Sequence, residues 1–73
     1  MLTIHQNRIL ALLWDEDHLH PGQLADRLEL PFAQVLAMLC RLVGDGLVGA
    51  TGHGFRLTTS GHRLVSNDRE AVL

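Results

Sequence analysis

The chain has 73 residues, enough for one small domain with a thin hydrophobic core. Six basic residues, all arginines, stand against eight acidic ones, for a formal net charge of −2. This balance excludes a generally basic nucleic-acid coat and a polybasic membrane binder, but it permits a locally basic surface. Hydrophobic residues make up 47% of the sequence, which excludes a disordered chain.

A first helix is predicted over residues 4–14, since four apolar side chains share one of its faces: Ile9, Leu10, Leu13 and Trp14. Thr3 can cap this helix, and the carboxylates at 15–17 oppose its dipole and end it. Pro21 is typical of a first helical turn, so a second helix is predicted over residues 21–28.

A third helix is predicted from Pro31 to Val43, after a tight turn at residues 29–31. A glycine within residues 44–46 can take the left-handed conformation that closes a helix.

The last third of the chain predicts a β hairpin and a fourth helix. The β-prone runs 47–50 and 55–58 flank residues 51–54, whose glycines suit a hairpin loop. Thr58 or Thr59 can cap the final helix, which is expected to fade through residues 66–68. The predicted fold is therefore mainly α with a small β hairpin, in the order of a winged helix-turn-helix, as a single domain over residues 1–73.

Three sequence runs carry a family resemblance: LADRLEL at residues 24–30, DGLV at 45–48 and LTTSG at 57–61. Around an apolar third helix, they resemble the core of the MarR-like winged-helix regulators, from about residue 9 to residue 65. The resemblance implies a transcription regulator whose third helix enters the DNA major groove while the wing, the hairpin, touches the backbone.

A narrower similarity covers residues 23–31, then 37–39 with Arg41. These residues resemble the FeoC-type small winged-helix proteins of ferrous-iron transport, whose wing carries a cysteine cluster. Here the loop at residues 51–54 reads TGHG and holds no cysteine. An iron–sulfur role is therefore not implied, and no cofactor is expected.

The MarR-like resemblance divides the third helix into two sides. It places the reading face on Pro31, Phe32, Ala33, Gln34, Leu36, Ala37 and Arg41. It places the core side on Val35, Met38, Leu39 and Leu42. Gln34 and Arg41 are the candidates for bases or phosphates, and His53 and Arg56 of the wing for the DNA backbone. The alternative for each of them is an ordinary exposed residue with no binding role. We expect a dimer on double-stranded DNA, because so few arginines release few counterions.

The same face departs from the family pattern, because most of its residues are apolar. Arg41 is the only charged residue between Leu30 and Gly44. An apolar face of this kind can instead bury against protein, through Pro31, Phe32, Ala33 and Leu36. The alternative function is thus a module for protein docking or homodimerisation that does not bind DNA.

Other chemistry finds less support in the sequence. His18 and His20 alternate across a link, but a metal site needs three or four converging ligands, and none is predicted. The sequence shows no spacing typical of a catalytic triad and no phosphate-binding loop, and so short a chain leaves little room for a small-molecule cleft. It therefore predicts a protein that is not an enzyme. Trp14 and Phe55 are expected in the core, with Trp14 over the wing.

The single cysteine, Cys40, excludes an intramolecular disulfide and any cysteine-based cluster within one chain. We expect Cys40 to be a half-buried packing residue. The sequence shows neither a signal peptide nor an apolar run of about 18 residues. A cytoplasmic protein without a membrane partner is the expectation.

Overall fold

The structure is a computed structural model that describes the backbone of residues 2–71 and the side chains of residues 2–67. Met1, Val72 and Leu73, part of the predicted single domain, lie outside the described residues. Within that range the elements follow in the predicted order: α1 (Ile4–Asp15), α2 (Pro21–Leu28), α3 (Phe32–Gly44), β1 (Val48–Thr51), β2 (Gly54–Leu57) and α4 (Thr59–Ala71).

Side-chain caps set the starts of α1 and α2. Thr3 Oγ1 accepts the Gln6 N–H at 3.2 Å, and Gln6 Oε1 accepts the Thr3 N–H at 2.9 Å, which is a complete capping box. At α2, Gln23 Oε1 accepts the His20 N–H at 2.8 Å, and Pro21 fills the first helical position. Both helices therefore begin where the sequence predicts.

The turn between α2 and α3 is closed by the backbone itself. Glu29 adopts the left-handed conformation, with φ 56° and ψ 45°. The Leu30 N–H reaches back to the Ala25 carbonyl at 3.1 Å, which is the hydrogen bond of a Schellman cap. After this turn α3 starts at Phe32 rather than at Pro31, which is its N-cap.

The far end of α3 closes in the same way. Gly46, with φ 78°, takes the left-handed position, and the Leu47 N–H donates to the Leu42 carbonyl at 3.0 Å. This confirms that a glycine of the 44–46 segment ends the helix. Backbone hydrogen bonds thus close the C-terminal ends of both α2 and α3.

β1 and β2 form an antiparallel hairpin, which we call the wing (residues 48–57). Val48 pairs with Leu57, and Thr51 pairs with Gly54. The strands are displaced by one residue from the predicted 47–50 and 55–58, because the connecting turn is shorter than the sequence suggests.

A third extended segment joins the wing from the link between α1 and α2. The Leu19 N–H donates to the Phe55 carbonyl at 3.1 Å, and the Phe55 N–H donates to the Leu19 carbonyl at 2.8 Å. Gly54 lies against this bridge with φ 129°, and a Cβ on it would come within 2.7 Å of the Leu19 carbonyl oxygen. Only glycine fits there without displacing the backbone.

The hydrophobic core lies where the wing and all four helices meet. Its members are Ile9, Leu10, Leu13, Leu19, Leu24, Ala25, Leu28, Val35, Leu39, Leu42, Val48, Leu57 and Val65. Met38 and Phe55 are half-buried at its edge. Trp14 is half-buried too, and its ring contacts His62 of α4 with 5.3 Å between centroids, so α4 rather than the wing supplies its ring contact.

The start of helix α4 is hydrogen-bonded to and packed against Gly46 and Leu47, which directly precede the wing. Thr58, one of two predicted caps, donates its hydroxyl to the Gly46 carbonyl at 2.6 Å and accepts the Gly61 N–H at 3.1 Å. A Cβ at Gly61 would overlap the Leu47 carbonyl oxygen and lie 3.1 Å from its carbon. The helix continues to Ala71, past the predicted fade, because this cap and packing secure its start.

Across residues 2–71, the helices all lack the combination of length and apolar character that a membrane span requires.

Candidate interface on α3 and the wing

The outward face of α3 is open along its whole length. Every residue on which the predicted reading face depends is exposed: Pro31, Phe32, Ala33, Gln34, Leu36, Ala37 and Arg41. The opposite side of the helix is fully buried at Val35, Leu39 and Leu42. The division of α3 into a core side and an outward side is therefore as the sequence predicts, with Met38 at the margin.

The polar part of this face consists of Gln34 and Arg41. They lie at positions 34 and 41, about two turns or 10.5 Å apart along the axis, on the same side of the helix. Among the described residues, neither side chain has a hydrogen-bond or ion-pair partner. Both groups are thus free to bind an external molecule.

The opposite edge of the outward face carries an apolar stripe, formed by Phe32, Leu36, Cys40 and Val43, whose spacing of four, four and three residues keeps them on one side. Phe32 is 53% exposed, Leu36 38% and Val43 40%. Val43 was missing from the predicted face, although its spacing from Leu36 could have indicated it.

Cys40 is exposed, so the prediction of a half-buried packing residue is wrong. One step along an α-helix turns the side chain by about 100°. Cys40 follows the buried Leu39, and this rotation carries its thiol out of the core and onto the apolar stripe.

The predicted wing residues, His53 and Arg56, are both exposed. Arg56 stands opposite Gly49 in the sheet, so it has no cross-strand side chain to hold it. His53 lies in the turn of the wing, and its ring meets the His18 ring edge to face, with 5.9 Å between centroids. The structure therefore brings His53 beside the α1–α2 link, a contact that the sequence does not predict.

Comparison with known proteins supports the architecture. No family model and no curated protein matches the chain. Among solved structures, it is similar to the crystal structure of RV1404 from Mycobacterium tuberculosis, with 28% sequence identity and a TM-score of 0.84 over 96% of this chain. The fold is a winged helix-turn-helix. The likeness covers 54% of the RV1404 chain, so this protein spans about half the length of that neighbour.

The charges of the winged helix are unevenly placed. Most exposed carboxylates of the described residues lie at or just after the end of α1 and along α2: Asp15, Glu16, Asp17, Asp26 and Glu29. Asp45, at the C-terminal end of α3, is exposed as well. Arg27 is paired with Glu16, to which its guanidinium donates through both terminal nitrogens. The arginines on the outward face of α3 and on the wing are Arg41 and Arg56.

Within residues 2–67, no group of three or more histidine, cysteine, aspartate or glutamate side chains is placed so that it could hold a metal ion. His18 and His20, separated by Leu19 in the link, make different hydrogen bonds. His18 Nδ1 lies 3.2 Å from Thr51 Oγ1 of the wing, whereas the His20 main-chain N–H is bonded to Gln23.

Proposed function

We propose that this winged helix is a small DNA-binding module of the MarR-like type that acts in cytoplasmic transcription regulation. The proposal rests on one observation, the exposed and unpartnered pair Gln34 and Arg41 on the outward side of α3. Glutamine forms paired hydrogen bonds with adenine, and arginine forms them with guanine or binds phosphate. Their separation of about 10.5 Å corresponds to about three base-pair steps of 3.4 Å.

The wing would complete the contact from the side of the DNA backbone. Arg56 and His53 are exposed there, and Arg56 has no partner among the described residues. With two arginine contacts per chain, the slope of log affinity against log salt is expected to be about −2 for one domain and about −4 for a dimer. A slope this small means that one domain releases few counterions from DNA. Two domains would therefore have to bind together to reach useful affinity.

The test is a titration of labelled duplex DNA by fluorescence anisotropy at several salt concentrations below physiological. Arg41→Gln and Arg56→Gln should each weaken binding and reduce the slope by about 1 per chain. Arg8→Gln on α1 is the matched control, because Arg8 is equally exposed but lies outside α3 and the wing. Absence of duplex binding at low salt would contradict the proposal, as would an Arg41→Gln variant with unchanged affinity and slope.

A second function, protein docking or homodimerisation, is favoured by the apolar stripe on α3. Phe32, Leu36 and Val43 are large hydrophobic residues that remain 53%, 38% and 40% exposed. A stable interface covers about 800 Å² per partner, so this stripe, with Pro31 and Ala33 beside it, would form the apolar centre of a larger contact.

Leu36→Gln separates the two functions, because it removes an apolar group without adding charge. Docking predicts that it abolishes self-association or a partner complex in sedimentation equilibrium while thermal unfolding stays close to the parent. Gln34→Ala is the control, since Gln34 is exposed on the polar side of the same helix. A parent chain that is monomeric at all concentrations and binds duplex DNA would contradict the docking function.

A further inference from the structure

The link between α1 and α2 forms part of the tip of the wing. Leu19 of the link exchanges two backbone hydrogen bonds with Phe55 of β2, at 3.1 and 2.8 Å. This bridge places His18 beside the turn of the wing, where its ring meets the His53 ring at 80° with 5.9 Å between centroids. Both histidines are exposed. His53, a candidate for the DNA backbone, therefore has a neighbour from outside the hairpin to which the proposed function gives no role.

The Thr51 hydroxyl determines which nitrogen of His18 carries a hydrogen. This hydroxyl donates to the Gly54 carbonyl at 3.0 Å and accepts the His53 N–H at 3.1 Å. Its single hydrogen is thereby used, so the imidazole must donate in the 3.2 Å contact between His18 Nδ1 and Thr51 Oγ1. In neutral His18, Nε2 is therefore an acceptor. It carries a hydrogen only when the ring is protonated and positively charged.

This hydrogen-bond pattern decides what His18 can bind in each charge state. A phosphate oxygen accepts hydrogen bonds, so the lone pair on Nε2 of a neutral ring repels it. The imidazolium offers an N–H and a positive charge at the same atom, which together make a charge-assisted hydrogen bond to phosphate. As long as the Thr51 contact is kept, only the protonated form of His18 can bind a phosphate.

The surroundings of the histidine pair contain further charged and titratable groups. Those of the link, the adjoining end of α1 and the wing are Asp15, Glu16, Asp17, His20 and Arg56. Histidine is the side-chain type among these that ordinarily changes its charge between about pH 6 and pH 8. His20 is therefore the group whose titration has to be separated from that of His18 and His53.

We propose that His18, as the imidazolium, binds a phosphate of the DNA backbone beside His53, so that binding of duplex DNA is coupled to proton uptake at the tip of the wing. The proposal rests on the proposed function, since it needs the wing to lie against DNA. Phosphates recur about every 3.4 Å of rise along one strand. A ring 5.9 Å from that of His53 is thus within reach of the same phosphate or the next. A single exposed side chain suffices for such a contact.

The test is an anisotropy titration of labelled duplex DNA at constant low salt, at about pH 6 and at about pH 8. The parent chain should bind at least about tenfold more tightly at the lower pH, since a hydrogen bond to a charged group contributes about that much affinity. Calorimetry of the same binding in buffers of different ionisation enthalpy should show net proton uptake. His18→Asn should reduce both effects, and asparagine tolerates the left-handed φ of 62° at this position.

His20→Gln is the matched control, because His20 is exposed in the same link and its main-chain N–H is bonded to Gln23 of α2. It should leave the pH dependence and the proton uptake at the parent values. The proposal is overturned if the parent binds duplex DNA equally at both pH values, if His18→Asn keeps the full pH dependence, or if His20→Gln loses as much of it as His18→Asn does. In each of these cases the proposed function still stands if Arg41→Gln weakens binding. Absence of duplex binding at both pH values would overturn the two proposals together.

Discussion

Replacing Gly61 with alanine should destabilise the domain, although alanine is the better helix former. Gly61 is buried in the first turn of α4, and its α-carbon faces the backbone that enters the wing. An added Cβ would overlap the Leu47 carbonyl oxygen, and backbone cannot rotate away as a flexible side chain can. The helix start must therefore shift, which strains the hydrogen bonds from Thr58 to Gly46 and from Gly61 to Thr58.

The magnitude follows from two opposing terms. Forced overpacking costs about 1–3 kcal/mol, and contact with rigid backbone places this site at the upper end. Alanine returns up to about 1 kcal/mol of helix propensity. The free energy of unfolding should fall by about 2 kcal/mol net, and Tm by about 8–16 °C for a domain of this size.

Urea unfolding followed by circular dichroism measures the difference, with Gly22→Ala as the matched control. Gly22 lies in the first turn of α2, and no atom lies within 4 Å of an added Cβ there. The control should be as stable as the parent or gain up to about 1 kcal/mol. If Gly61→Ala matches or exceeds the parent in stability, the close packing of α4 on the Leu47 backbone is refuted.

Three further predictions, made with four substitutions, test the fold by chemical denaturation. Leu39→Ala should cost about 2–5 kcal/mol because Leu39 is fully buried, whereas Leu36→Ala on the exposed side of α3 should change stability by less than about 1 kcal/mol; equal effects would contradict the division of α3. Glu29→Gly should stabilise by up to about 1 kcal/mol, since it relieves the left-handed φ of 56° at the end of α2; a loss of stability would contradict this. Arg27→Gln should cost less than about 1 kcal/mol, because both side chains of its pair with Glu16 are over 40% exposed, at 43% and 44%.

The parts of the fold that the sequence predicts well are those decided by neighbouring residues. The capping box of Thr3 and Gln6, the proline at the start of α2 and the glycine after α3 are all local signals, and the helix bounds follow them within one residue. The burial of Leu39 and the exposure of Gln34 follow from helical periodicity in the same way.

The parts that the sequence misses depend on contacts between distant segments. The bridge between Leu19 and Phe55 requires the link to lie beside the wing, and no pattern within either segment encodes that. The contact of Trp14 with His62 and that of His18 with His53 arise from the same tertiary packing.

For the candidate interface, the pattern predicts which residues face outward on α3. The choice of macromolecule depends on a balance between two polar groups and an apolar stripe. The chemistry of the individual residues does not show whether DNA or protein is the partner. Gln34 and Arg41 are suited to DNA, whereas Phe32 and Leu36 are suited to a protein surface.

The attachment of α3 has a consequence for how this domain can change over time. The helix is closed at its C-terminal end by the Leu47 N–H, which donates to the Leu42 carbonyl, and it is anchored by the buried side chains of Val35, Leu39 and Leu42, none of which belongs to the outward face. Single substitutions of exposed side chains on that face should therefore change stability by less than about 1 kcal/mol. New combinations can therefore be installed there by mutation or by a designed library, and the scaffold will present each of them in the same orientation.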